Sequence, residues 1–125
     1  MRELSIAIRN KSLAAVKFLV DDCDVDVNVK GEYRITALMA AAQGSGLEIP
    51  EYLVDHGADV NAVDIDGKTS LMFAAECGRL NAVKFLLKSG ANINAVDRKG
   101  KTALDFALDW NNRDVIYYLT GVMHC

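Results

Sequence analysis

An all-α repeat solenoid of stacked helix-turn-helix units is the fold class this sequence predicts, and three observations predict it. Thr36-Ala37-Leu38-Met39-Ala40-Ala41-Ala42 recurs 33 residues on as Thr69-Ser70-Leu71-Met72-Phe73-Ala74-Ala75. The same shift carries Gly57-Ala58-Asp59-Val60-Asn61-Ala62-Val63-Asp64 onto Gly90-Ala91-Asn92-Ile93-Asn94-Ala95-Val96-Asp97. Within each copy the apolar residues fall at helical spacing in two short runs separated by a turn. A fixed period of this length means an array of small units that bury their faces on one another.

The copies use the whole chain, as one domain (1–125) of roughly four units at about 1–30, 31–63, 64–96 and 97–125. In the first, Val16-Lys17-Phe18-Leu19 matches Val83-Lys84-Phe85-Leu86 and Asn28 matches Asn61 and Asn94. That unit holds one extra residue around Cys23 to Val25. In the second, Pro50 falls near the start of a second helix, where the first-turn N–H groups lack helical partners anyway. The third unit is the most regular. Asp64-Ile65-Asp66-Gly67-Lys68 is turn chemistry. Thr69 stands where a helix N-cap belongs. Ser70 to Cys77 is a first helix with Leu71, Ala74 and Ala75 on one face, and its alanines imply close helix approach. Gly78 breaks it. Leu80 to Ser89 is a second helix with Leu80, Val83, Leu86 and Leu87 together, and Gly90 is its left-handed cap. Ala91 to Ala95 returns as extended chain. The fourth unit repeats the pattern in degraded form from Thr102-Ala103-Leu104-Asp105-Phe106-Ala107. No such helix reaches the ~12–15 residues at which isolated helices become marginal in water, so the units have to stack.

Composition narrows the class. At 125 residues the chain is long enough to bury a core without disulfides or metals. A net charge of −3 gives no electrostatic footprint for nucleic acid or an anionic membrane. No apolar run approaches the ~20 residues that span a bilayer, and Met1-Arg2-Glu3-Leu4-Ser5-Ile6 does not read as a secretory signal. Cys23, Cys77 and Cys125 cannot all pair within the chain and lack metal-ligand spacing. Buried or half-buried thiols in a reducing, cytoplasmic setting are the expectation.

These residues resemble the ankyrin repeat. The family pattern is carried by Asp64, Gly67, Thr69, Leu71, Ala74, Ala75, Gly78, Leu86, Leu87, Gly90, Ala91, Asn94 and Ala95, and in the unit before by Thr36, Leu38, Ala41, Ala42, Leu53, Gly57, Ala58, Asp59, Val60, Asn61 and Ala62. The resemblance covers nearly the whole chain and implies an L-shaped stack of helix pairs with β-hairpin loops projecting to one side. There are departures. The family Pro is Ala37, Ser70 and Ala103; its His is Met39, Met72 and Asp105, which is expected to loosen the coupling of loop to helix. Arg34 replaces the turn Gly of the second unit, which predicts an irregular hairpin there. Ser45 and Asn111 replace the Gly between helices.

No set of residues in the chain reads as catalytic. His56 stands at a helix end, where a charged imidazole complements the dipole. His124-Cys125 is the terminal dipeptide. No Ser/His/Asp or Cys/His set follows from spacing, and the glycines fall at the repeat period. Asp21-Asp22-Cys23-Asp24-Val25-Asp26 lacks the Gly and the terminal Glu of a calcium loop. No cofactor or metal is expected. The expectation is a non-enzymatic adaptor, scaffold or inhibitor that binds a protein partner. The alternatives are a regulatory subunit or fragment acting on an enzyme in trans, and a designed repeat protein without a native partner; the irregular first and last units argue against the second.

The resemblance implies that a partner meets the hairpin tips and the concave face of the first helices. Carried over unit by unit, the tips are Glu32, Tyr33 and Ile35, then Ile65, Asp66 and Lys68, then Arg98, Lys99 and Lys101. The first-helix positions are Arg9 and Asn10, Gln43, Glu76 and Cys77, and Asp109 and Trp110. Tyr33, Ile65 and Trp110 are large residues without a role in the repeat, the kind of which binding hot spots are made. Trp110 with the basic tips is the expected hot spot, unless its ring covers the open end of the stack. At the C-terminal end Val115, Ile116, Tyr117, Tyr118, Val122 and Met123 are apolar, which raises the expectation of self-association there.

Overall fold

The computed structural model describes residues 2–123; the dipeptide His124-Cys125 lies outside the described residues. Among the described residues eight α-helices follow one another in four pairs: α1 (Arg2–Arg9) and α2 (Leu13–Lys17), α3 (Ala37–Ala42) and α4 (Glu48–Asp55), α5 (Ser70–Glu76) and α6 (Leu80–Lys88), α7 (Ala103–Asp109) and α8 (Arg113–Met123). Each first helix packs on its own second helix, and α1, α3, α5 and α7 stack in that order. The predicted solenoid is the fold.

Small residues let the first helices approach. Ala7, Ala41, Ala74 and Ala107 occupy one register position, and all are buried. Leu4, Leu38 and Leu71 form a buried row beside them, and Leu53, Leu86 and Leu119 form a second row under the second helices. Short helices that bury only half their surface alone become stable through these rows. Pro50 is buried in the first turn of α4, as its missing N–H allows.

Each first helix after α1 starts on a threonine. Thr36, Thr69 and Thr102 accept from the backbone N–H three residues on, at 3.3 Å in every unit. The side chain of that third residue closes the cap in return. Met39 and Met72 offer sulfur to the threonine N–H at 3.4 Å, and Asp105 offers a carboxylate at 3.0 Å. The loss of the family His therefore does not loosen loop-to-helix coupling. A buried thioether, a weak acceptor but correctly placed, closes the same ring.

The extra residue of the first unit is absorbed inside the second helix rather than around Cys23 to Val25. α2 runs on into a π-turn over Phe18–Asp22, closed by Cys23 N–H to the Phe18 carbonyl at 3.2 Å. One residue is thus inserted without disturbing the helices that follow. Asp24, at φ 56°, then takes the left-handed place that Gly90 holds in the third unit. The π-turn also brings Asp21 onto the neighbouring helix, where the Tyr52 hydroxyl donates to its carboxylate at 2.6 Å.

The loops are hairpin-shaped, but among the described residues they form no strand ladder; a single bridge joins Lys30 and Thr36. The two regular tips are held by an aspartate. Asp64 accepts from the N–H groups of Asp66 and Lys68, and Asp97 from those of Lys99 and Lys101, all at 2.8–2.9 Å. Neither Cys23 nor Cys77 is buried; both are exposed free thiols.

Candidate protein-binding face

The tips are stacked by backbone hydrogen bonds. Ile65 N–H donates to the Tyr33 carbonyl and Arg98 N–H to the Asp66 carbonyl, each at 2.9 Å. Gly67 allows this approach. It sits at φ 80°, and a Cβ there would meet the Arg98 nitrogen at 3.1 Å. In the second unit Arg34 stands in the glycine's place. Tyr33 and Arg34 both adopt left-handed φ, at 57° and 62°, within a 3-10 turn over Glu32–Arg34. The irregular hairpin expected from Arg34 is present, and it thrusts Tyr33 outward, 70% exposed.

Further back along the loops, asparagines brace one unit to the next. Asn28 donates to the Gly57 carbonyl and accepts from Asp59 N–H; Asn61 does the same with Gly90 and Asn92, at 2.7–3.1 Å. The repeated asparagine therefore links neighbouring units, and the face it supports is held in register.

Two tip lysines are not free. Lys68 folds back to Glu76 at 3.1 Å, with its ammonium 4.3 Å from the Phe73 ring centre and 4.7 Å from that of Phe106. Lys101 reaches Asp109 in the same way. Its hydrogen bond to that carboxylate, and then the charge of Asp109, hold the Lys101 ammonium above the ordinary lysine range. Each pair ties a loop to the far end of the helix it introduces. These contacts lay the two lysine side chains over the buried rings of Phe73 and Phe106.

The remaining residues are presented outward. Ile65, Asp66, Arg98 and Lys99 are exposed at the tips, and Ile35 is half-buried. Gln43, Cys77 and Trp110 are the C-terminal caps of α3, α5 and α7, and all three are exposed. Trp110 is 64% exposed, so it does not cover the end of the stack. It lies at the opposite end of α7 from Lys101. The Lys101 ammonium nevertheless crosses that helix, about 10 Å long at 1.5 Å per residue, to reach Asp109 beside Trp110. Protein bulk, and then the Glu76 carboxylate, push the Cys77 thiol up. The thiolate form is therefore disfavoured there.

Within a face of this kind the chain has the marks of one family. A family model described as ankyrin repeats (3 copies) matches residues 4–97, and a second, described as ankyrin repeats (many copies), matches residues 78–120. The chain belongs to the ankyrin repeat family. Curated relatives share shorter stretches. Alpha-latroinsectotoxin-Lt1a of Latrodectus tredecimguttatus is 43% identical over 63 residues, which is 50% of this chain and 4% of that protein. Palmitoyltransferase akr1 of Schizosaccharomyces pombe is 40% identical over 63 residues, 50% of this chain and 10% of that protein. The chain thus spans a tenth or less of the length of these relatives.

Of the positions named from the sequence, Tyr33, Gln43, Ile65, Asp66, Cys77, Arg98, Lys99, Asp109 and Trp110 are exposed in this ankyrin stack and Ile35, Lys68, Glu76 and Lys101 are half-buried, and two features were missed. One is the folding back of Lys68 and Lys101, both half-buried, signalled in the sequence only by the eight-residue spacing from Lys68 to Glu76 and from Lys101 to Asp109. The other is the trio of Asp21, Tyr52 and His56 on the second helices. His56 donates from Nδ1 to the Tyr52 carbonyl at 2.8 Å and sets Nε2 3.6 Å from Asp21. Its ring lies 3.9 Å from that of Tyr52. Burial, and then the hydrogen bond to Asp21, raise the Tyr52 phenol to about 12. Among the described residues no cluster of His, Cys, Asp and Glu is placed to hold a metal ion, and no helix is long and apolar enough to cross a membrane.

Proposed function

We propose that the chain is a non-enzymatic interaction module that binds a protein partner across its hairpin tips and first helices, acting as an adaptor, scaffold or inhibitor in a reducing compartment. One observation carries this reading. The tips are locked to one another and to the helices by backbone bonds and lysine–carboxylate ties, while Tyr33, Ile65 and Trp110 are left exposed on that framework. A rigid surface loses little conformational entropy on binding, and large exposed side chains supply its anchors. A partner enzyme regulated in trans would use the same surface.

The test is affinity capture with wild type and a Trp110→Ala, Lys99→Glu double variant of matched unfolding midpoint. A partner retained by wild type should bind the variant at least tenfold more weakly. Equal binding by both would place the site elsewhere.

A second reading, self-association through the C-terminal end, is favoured by Leu108 and Tyr117. Leu108 holds the register position at which Ala42 and Ala75 are buried by the next unit, yet it is 53% exposed. Tyr117 is 86% exposed, whereas Tyr118 is half-buried with the Lys84 ammonium 5.3 Å from its ring centre. On this reading Tyr117→Asp shifts a dimer to monomer in sedimentation, and a wild type that stays monomeric at high concentration contradicts it.

A further inference from the structure

The turn between α3 and α4 departs from the other three. In the first, third and fourth units a left-handed residue (Lys11, Gly78 or Asn111) lets the next N–H reach back five residues: Ser12 to Ala7, Arg79 to Ala74, Asn112 to Ala107, at 2.9–3.0 Å. Gly44-Ser45-Gly46 makes no such closure, and Ser45 is not left-handed. The turn stays open, and a cleft of about 650 Å³ lies beside it, lined by Ile8, Arg9, Lys11, Gly46, Glu48 and Ile49 among others.

The residue after the turn has a job in the regular units. It sends a side chain to the end of the first helix before it. Asn112 donates to the carbonyls of Ala75 and Glu76 at 2.7 and 2.9 Å, and Arg79 donates to that of Gln43 at 3.0 Å. Gly46 holds this position in the second unit and has no side chain to send. The carbonyls of Ile8 and Arg9, at the end of α1, are the counterparts of those that Asn112 caps. The former accepts only from Lys11 N–H at 2.9 Å, and no donor among the described residues reaches the latter.

Resting on the reading of the chain as a protein-binding module, we propose that this cleft receives a primary-amide side chain, Asn or Gln, from a segment of the partner, which makes the cap that Gly46 leaves unmade. Helix-end carbonyls are satisfied by side chains, by water or by ligands, and a ligand donor that reaches them displaces water. An amide is what Asn112 supplies at the matching place of the fourth unit, where its one NH2 group reaches two carbonyls. Ile8 and Ile49 offer apolar contact to an aliphatic neighbour of the amide.

The variant Gly46→Asn supplies the group in cis. A Cβ at Gly46 meets no atom within 4 Å, and its φ is not left-handed, so the substitution is free of strain. Its unfolding midpoint should rise, and so should that of Gly46→Arg, which copies Arg79. Acetyl-Leu-Asn N-methylamide, whose only primary amide is the side chain, is then titrated into wild type while the backbone amide resonances of residues 8–12 and 44–46 are followed. Saturable shifts confined to those residues are expected, at least tenfold weaker with the aspartate analogue and lost in Gly46→Asn. Equal response to the two peptides, shifts that persist in Gly46→Asn, no saturable shift, or a lowered midpoint in both variants would overturn the proposal. The Trp110 and Lys99 capture experiment is independent of this cleft, so failure here leaves the tip-binding reading standing.

Discussion

Tyr52 shows how one side chain answers to a neighbouring unit. Its ring is buried, and its hydroxyl donates to Asp21, a residue delivered by the π-turn of the first unit. Burial and the carboxylate both disfavour the phenolate, so its pKa rises from 10.0 to about 12. A raised folded-state value stabilises the fold below the unfolded pKa, and that stability disappears as pH climbs through the folded one. Unfolding free energy should therefore fall between about pH 10 and 12. Tyr52→Phe should remove most of that dependence and cost about 1–2 kcal/mol at pH 7. Denaturant titrations at a series of pH values check both. A wild-type curve with the same slope as Tyr52→Phe would mean that the contact is not formed. None of this was legible in the sequence. The extra residue was visible, but its absorption in a π-turn depends on how α2 meets α4.

At the scale of the element, the turns between paired helices set the geometry. Gly78 sits at φ 70°, and a Cβ there would meet the Asn112 side-chain oxygen at 3.0 Å. Gly78→Ala should cost about 2 kcal/mol, from left-handed strain and displacement of that cap. Lys11 holds the same conformation at φ 57° without being glycine. Lys11→Gly should stabilise by about 0.5 kcal/mol, since relief of strain slightly exceeds the added freedom of the unfolded chain. Urea unfolding of the two variants tests the pair; a neutral Gly78→Ala would contradict the assignment of the turn. The glycine and threonine positions made the helix boundaries readable, because caps and turns demand particular residue types. The methionine at the third helical position misled, since a thioether is an unusual partner in a capping box and its usefulness rests on burial.

For the whole molecule, the repeat period alone fixes most of what matters. Four helix pairs stacked through a row of alanines follow from the 33-residue shift, and so does the side on which the tips lie. Which exposed residues are free does not follow from it. Lys68 and Lys101 read as tip charges like Arg98 and Lys99, but the fold turns them back onto Glu76 and Asp109. Stability in such an array is close to a sum of unit and neighbour terms, so a variant in one turn leaves distant units intact. Surface substitutions at Trp110 and Lys99 are for the same reason expected to leave the fold nearly unchanged. A hydrogen-exchange footprint of the chain with a captured partner reads the binding surface directly. Protection is expected at 33–35, 65–68, 98–101 and along α5 and α7, with α4 and α6 unchanged. Protection confined to α4 and α6, with the tips exchanging as in the free chain, would contradict the tip-binding reading.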